Sequence, residues 1–171
     1  MEDERVAQSS LLRLYLAPSR QPGAQEDAAA LVFLSELLGG SGATSVLGQA
    51  LTFDTNTAVY AGAGYYGTAL DDSSFSLMVV PAEGVSLAEA EAALDAELED
   101  FLAEGPDMQA FERIKMQIRA REIYALDDVS DLAERYGRAL TAGLTLADVD
   151  AWPKLLQAVT PDDVMRVARG S

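Results

Sequence analysis

All of the strand-like text in this chain lies before Ser86, and everything after it repeats at helical spacing. A sheet must therefore be built from the first half and covered by helices supplied largely by the second. Leu11 to Ala17 alternates, placing Leu12, Leu14 and Leu16 on one face and Leu11, Arg13 and Tyr15 on the other, and closes at Pro18. Ala58 to Tyr66 and Ser74 to Val80 are the other two strand runs. The segment Gly67-Thr68-Ala69-Leu70-Asp71-Asp72 between them has the composition of a hairpin connection.

Helical text is of two kinds. Gln25 to Leu38 carries Ala28, Leu31, Val32, Ser35 and Leu38 at helical spacing with nearly continuous apolar residues between them, which predicts a helix buried on most sides. Gly39-Gly40-Ser41-Gly42 ends it, and glycine there is expected to supply a left-handed cap. A short helix from Ser45 to Leu51 follows. Beyond Ser86-Leu87-Ala88-Glu89, a capping box, Leu87, Ala90, Leu94, Leu98, Phe101 and Leu102 recur at three and four. Gly105-Pro106 stops that helix. Asp107 caps the next, with Phe111, Ile114 and Ile118 on its apolar side. Further helices are expected over 129–142, from near Thr145, and after Thr160-Pro161-Asp162-Asp163. The order predicts an α+β fold, a mixed, largely antiparallel sheet with helices packed on one face, and a single domain over 1–171.

The chain has no cysteine and no histidine. Disulfides, a thiol nucleophile, an imidazole base and an ordinary structural zinc site are thereby excluded, so neither a catalytic nor a metal residue is assigned. A formal charge of −16, from 28 acidic and 12 basic residues, repels phosphate backbones and anionic lipid, so neither nucleic acid nor a membrane is an expected partner. Met1-Glu2-Asp3-Glu4-Arg5 is no signal sequence, and no run of about 18 apolar residues occurs, so a soluble chain of unassigned compartment is expected.

Several features have a structural reading that outweighs a functional one. Gly39 to Gly42 follows a helix and lacks the Gly-Lys-Ser ending of a phosphate loop. The carboxylates of Asp71-Asp72, Asp127-Asp128 and Glu97-Glu99-Asp100 lack calcium-loop spacing and are expected as solvated surface. Tyr60, Tyr65 and Tyr66 are expected to pack across or beside the sheet, and Trp152 to close a core with Val149, Leu155 and Leu156. Arg113, Lys115, Arg119 and Arg121 are expected to pair along their own helix with Glu112 and Glu122.

Leu14-Tyr15-Leu16-Ala17-Pro18, the helix and glycine turn from Ala28 to Gly42, Ser45-Val46-Leu47-Gly48-Gln49-Ala50-Leu51 and the ending Thr160-Pro161-Asp162-Asp163-Val164 together resemble the C-terminal domain of the pitrilysin or insulinase-like zinc metallopeptidases. These are the enzymes marked by an inverted His-x-x-Glu-His motif. The resemblance covers nearly the whole chain. It implies one half of a clamshell, with zinc and the glutamate base on the other half, and no cofactor in this chain. The implied partners are the chain's own N-terminal peptidase domain or a homologous subunit, and a peptide substrate.

Many members place an arginine just after the leucine of the short helix and a tyrosine seven positions later; here those positions hold Thr52 and Val59, with Tyr60 expected on the opposite side of its strand. The substrate-cleft candidates are therefore Leu51, Thr52, Val59, Tyr60 and Tyr65. Loss of the Arg and Tyr pair implies that the parent is the zinc-bearing partner of a two-subunit enzyme. A non-catalytic assembly subunit is the alternative the resemblance leaves open.

Overall fold

The structure, a computed structural model, describes residues 9–125 and 129–170. Three antiparallel strands, β1 (Leu11–Ala17), β2 (Ala58–Tyr65) and β3 (Ser73–Pro81), form a sheet in the order β1-β3-β2, with β2 and β3 joined as the expected hairpin. Its inner face carries Ala17 of β1, Phe75, Leu77 and Val79 of β3 and Ala61 of β2, all in the main core, with Tyr15 and Ala63 half-buried against it. Helices α1 (Glu26–Gly39), α2 (Leu87–Glu104), α3 (Met108–Tyr124), α4 (Val129–Thr141), α5 (Leu146–Ala158) and α6 (Pro161–Gly170) complete the order. The α+β class and the one-sided helical layer agree with the sequence reading, and the described sheet is antiparallel throughout.

Helix α1 is the centre of the fold. It packs against β2 on one side and against α3, α5 and α6 on others, which explains why eight of its residues, including Leu31, Phe33 and Leu37, are buried around its whole circumference. Phe33 meets Phe111 of α3 with ring centroids 5.3 Å apart, a pairing that adds to area burial.

The glycines that end α1 act differently from the expectation. Gly40 has φ −67°, a right-handed value, so no left-handed cap is formed there. Gly39 serves contact instead: a Cβ built on it would lie 1.8 Å from the backbone nitrogen of Ala63 on β2. Only the missing side chain lets helix and strand approach so closely. Left-handed glycine does occur at Gly105, φ 80°, after α2.

The remaining helix starts are locally encoded. Ser86 and Glu89 form the full capping box of α2, the Asp107 side chain accepts from the amide of Ala110, and Thr145 with Asp148 caps α5. Thr160 and Asp163 exchange the same pair of bonds at the start of α6. Each satisfies amides that the first helical turn leaves without partners.

The basic side chains of α3 do not pair along their helix as expected. Arg121 bonds Glu36 of α1 at 2.7 Å, Lys115 donates to the carbonyl of Val159 at 2.9 Å, and Arg113 reaches the carbonyl of Thr44. Glu122 pairs with Arg135 of α4. The long stems of Arg113, Lys115 and Arg121 thus tie α3 to its neighbours.

Trp152 is buried, as expected, and the Arg20 guanidinium stacks 4.0 Å over its ring. Arg20 also donates through Nε to Gln25 at 2.7 Å, so the exit of β1 is bound to the start of α1 and to α5. Burial, reinforced by repulsion from Arg135, lowers the Arg20 pKa to about 10. Ala139, Leu144 and Val149 form a second, smaller core cluster where α4 meets α5.

Candidate functional site

The sheet has a second face that no described element covers. Along β1, Leu12, Leu14 and Leu16 are 57%, 64% and 77% exposed, while Leu11, Arg13 and Tyr15 turn toward the helices. The register sets Leu12 beside Met78 and Met78 beside Gly62, then Leu14 beside Ser76 and Ser76 beside Gly64. The outer face therefore runs from a leucine row on one edge, through methionine and serine, to a glycine row on the other. Both β1 and β2 are edge strands among the described residues. Strand Arg13 is kept off this face, held on the inner side by Glu91 at 2.8 Å and Asp95 at 2.5 Å. That pairing holds the Asp95 carboxyl below the usual carboxylate range.

A bulge governs the start of β2. Ala58 pairs with Pro81 and Tyr60 with Val80, so two steps on β2 match one on β3 and Val59 is the extra residue. Val59 and Tyr60 are consequently both exposed, rather than on opposite sides as strict alternation implies. The Tyr60 ring lies along the outer face over Gly62, where a Cβ would meet its hydroxyl at 2.6 Å.

The short helix before β2 is longer than expected and wound differently. From Gly48 to Asp54 it is a π-helix, closed by the amide of Thr55 donating to the carbonyl of Ala50. Such turns recur at functional sites because they displace side chains from α-helical positions. Leu51 is 1% exposed and belongs to the core, so it has no surface to offer a ligand. Thr52 is half-buried, and Phe53 stands 58% exposed. Asn56, φ 52°, makes the left-handed step into β2 that asparagine tolerates.

Of the five sequence candidates, then, Val59 and Tyr60 share the exposed side, Thr52 lies on the preceding helix, and Leu51 and Tyr65 point elsewhere. Tyr65 is half-buried on the inner side, its hydroxyl donating to the carbonyl of Pro18 at 2.5 Å; burial pushes its pKa upward. The leucine row and Phe53 were not singled out from sequence. Leucines on both faces of Leu11 to Ala17 were the available signal, since a strand wet on one side ordinarily turns polar residues to it.

Two other features carry less. A half-open apolar gap of about 120 Å³ lies between sheet, α1 and α2, bounded by Leu34, Leu38, Leu77, Leu98 and Phe101. It has none of the converging polar groups that orient a small ligand. Among the described residues no group of three or more Asp or Glu side chains is arranged to hold a metal ion. With histidine and cysteine absent, the donor set does not fit zinc. Asp71 and Asp72 are exposed, and Asp127-Asp128 lie outside the described residues. No described helix is long and apolar enough to cross a membrane.

Comparison with known proteins is decisive for the family. The family described as the peptidase M16 inactive domain matches residues 1–118. The chain belongs to the peptidase M16 family, as its inactive domain. The M16 match ends within α3, and the fold likeness extends further. A protease from Helicobacter pylori superposes with TM-score 0.84 at 21% identity over 96% of this chain. A Bordetella pertussis Tohama I chain named as a zinc protease gives TM-score 0.80 at 17% identity over 94% of it. The inactive peptidase domain of a zinc protease named from Bordetella parapertussis gives 0.79 at 16% identity over 97%. This chain spans 38% of the Helicobacter protein's length and 86% of each of the two Bordetella chains. No curated protein matches the sequence.

Proposed function

We propose that this M16 inactive domain forms the wall of a peptide cleft in a zinc metallopeptidase and leaves the metal to a companion half. The companion is the chain's own N-terminal peptidase domain or a homologous subunit, and the reaction is peptide hydrolysis carried out there. The observation that carries the reading is the outer sheet face, apolar and uncharged along three strands, in a domain whose donors do not fit zinc. A face of that kind suits an extended polypeptide, since it is uncharged and, beyond the Tyr60 ring that lies over Gly62, Gly64 on edge strand β2 carries no side chain to hold another backbone away. On this reading Tyr60 and Val59, set outward by the bulge, and Thr52 beside them border the same cleft, and residues 1–171 act as one unit.

Thr52 and Val59 favour a second reading. They stand where the Arg and Tyr of related peptidases are expected, and neither offers a guanidinium or a phenol to a developing oxyanion. A non-catalytic assembly subunit needs neither group. Mixing the chain with a separately produced zinc-bearing M16 half separates the two. Restored cleavage of an unstructured peptide supports the cleft wall, whereas a stable complex without cleavage refutes it in favour of assembly.

A further inference from the structure

The whole of the net charge sits in one stretch. From Gln21 to Glu112 there are 16 Asp and Glu and no Lys or Arg, while the rest of the chain balances 12 acidic with 12 basic residues. That stretch builds α1, the π-helix, the β2–β3 hairpin and α2. Four of its carboxylates bracket the hairpin: Asp54 ends the π-helix ahead of β2, Asp71 and Asp72 precede β3, and Glu83 follows it. All four are exposed, and none forms an ion pair or hydrogen bond among the described residues.

The basic side chains lie elsewhere. Among the described residues they are Arg13, turned inward to α2, the buried Arg20, and those of α3 to α6. Between the acidic ends the outer face itself bears no charge, only Leu12, Leu14, Leu16, Met78, Val80, Tyr60 and the serines and glycines between them. An apolar floor with negative ends selects by charge as well as by shape, because like charges brought to it are rejected.

We propose that the outer sheet face selects extended peptides that are apolar in the middle and carry Lys or Arg toward both ends. The proposal rests on the cleft-wall reading and names its substrate class. Length follows from geometry: β2 has eight residues, which span about 27 Å at ~3.4 Å per residue, so a peptide of about 8–12 residues reaches from one acidic end to the other. Its apolar side chains meet the leucine row, and its cations meet Asp71 and Asp72 at one end and Asp54 or Glu83 at the other.

The test uses the 171-residue chain and three labelled peptides with one Val-Leu-Ala centre, flanked by Lys and Arg, by Gln, or by Glu. Fluorescence anisotropy at low salt should give about tenfold tighter binding for the cationic peptide than for the Gln peptide, and none for the Glu peptide. Raising the salt to about 0.3 M should remove most of that advantage. Leu14→Ser should weaken the cationic and Gln peptides together about fivefold, and Asp71→Asn with Asp72→Asn should weaken the cationic peptide alone about threefold. Methyl resonances of Leu12, Leu14 and Met78 should shift on binding.

Equal affinity for all three peptides overturns the charge selection and leaves the cleft wall standing. Binding of the cationic peptide that ignores Leu14→Ser, with shifts centred on α2, marks diffuse attraction to an acidic protein and also overturns the proposal. Failure of every peptide to bind removes both it and the cleft reading.

Discussion

Replacing Gly39 with alanine tests the packing on which the sheet's position depends. A Cβ at Gly39 would stand 1.8 Å from Ala63 N, 2.5 Å from Gly62 C and 2.6 Å from Gly62 Cα. Carbon atoms in contact prefer about 3.5 Å or more, so α1 and β2 must separate by roughly 1.5 Å at this point. The obstacle is backbone, which cannot rotate aside as a side chain does. Overpacking of this kind costs about 3 kcal/mol or more, and the better helix propensity of alanine returns at most about 1 kcal/mol. The expected net loss is about 2 kcal/mol, or a Tm about 4–8 °C lower in a chain of this size.

Gly137→Ala provides the control, because it makes the same chemical change inside α4, where a Cβ would have nothing within 4 Å. There only propensity and unfolded-chain entropy operate, and a gain of about 0.4–1 kcal/mol is expected. Both variants are measured by thermal and urea unfolding followed at 222 nm, with equal m-values required for the comparison. Opposite signs for one substitution support the close approach of helix to strand. A Gly39→Ala protein that melts within a degree of the parent refutes it.

Ser86→Ala removes the hydroxyl that accepts from the Glu89 amide, while the Ser86 backbone amide keeps its bond to the Glu89 carboxylate, and should cost about 1 kcal/mol in urea unfolding; an unchanged midpoint would mean that the side-chain cap is dispensable. Hydrogen bonds from Thr145 and Gly23 hold Asp148 below the usual aspartate range, as Thr160 does for Asp163. With the folded value below the unfolded one, this stability is complete above about pH 4 and lost as pH falls below it, because the unfolded chain then binds more protons. Asp148→Asn should therefore flatten the acid side of the stability profile, while burial near Asp100 and Asp54, which raises Glu97, works in the opposite direction. An Asn variant with the parent's acid profile would rule out Asp148 as a source of that dependence.

Local signals carried most of the elements. The strand at Leu11 to Ala17, the hairpin and every cap from Ser86 onward depend on residues within a few positions of one another, and they appear where the periodicity puts them. What escaped depends on distance through space. The bulge at Val59 is a property of the pairing between two strands, and alternation along one strand holds no record of it. Arg121 has no carboxylate three or four positions away on its own helix, and the one it meets, Glu36 of α1, is far off in sequence. Gly39 looked like a cap because caps are common; its role is set by Ala63, on a strand met later in the chain.

The outer face joins these threads. A row of exposed leucines on an edge strand is a hazard in an isolated chain, since an unpaired edge invites another strand and apolar surface adds to the attraction. Domains blunt such edges with lysine or with a charge turned inward in mid-strand, and β1 has one of these: Arg13, which faces inward to Glu91 and Asp95. Further compensation lies around the face, in carboxylates at the hairpin ends that repel a second copy of the same acidic chain. That arrangement keeps like chains apart while leaving an apolar strip open to a polypeptide of opposite charge. On the proposed reading, the same residues would both keep copies apart and capture a peptide.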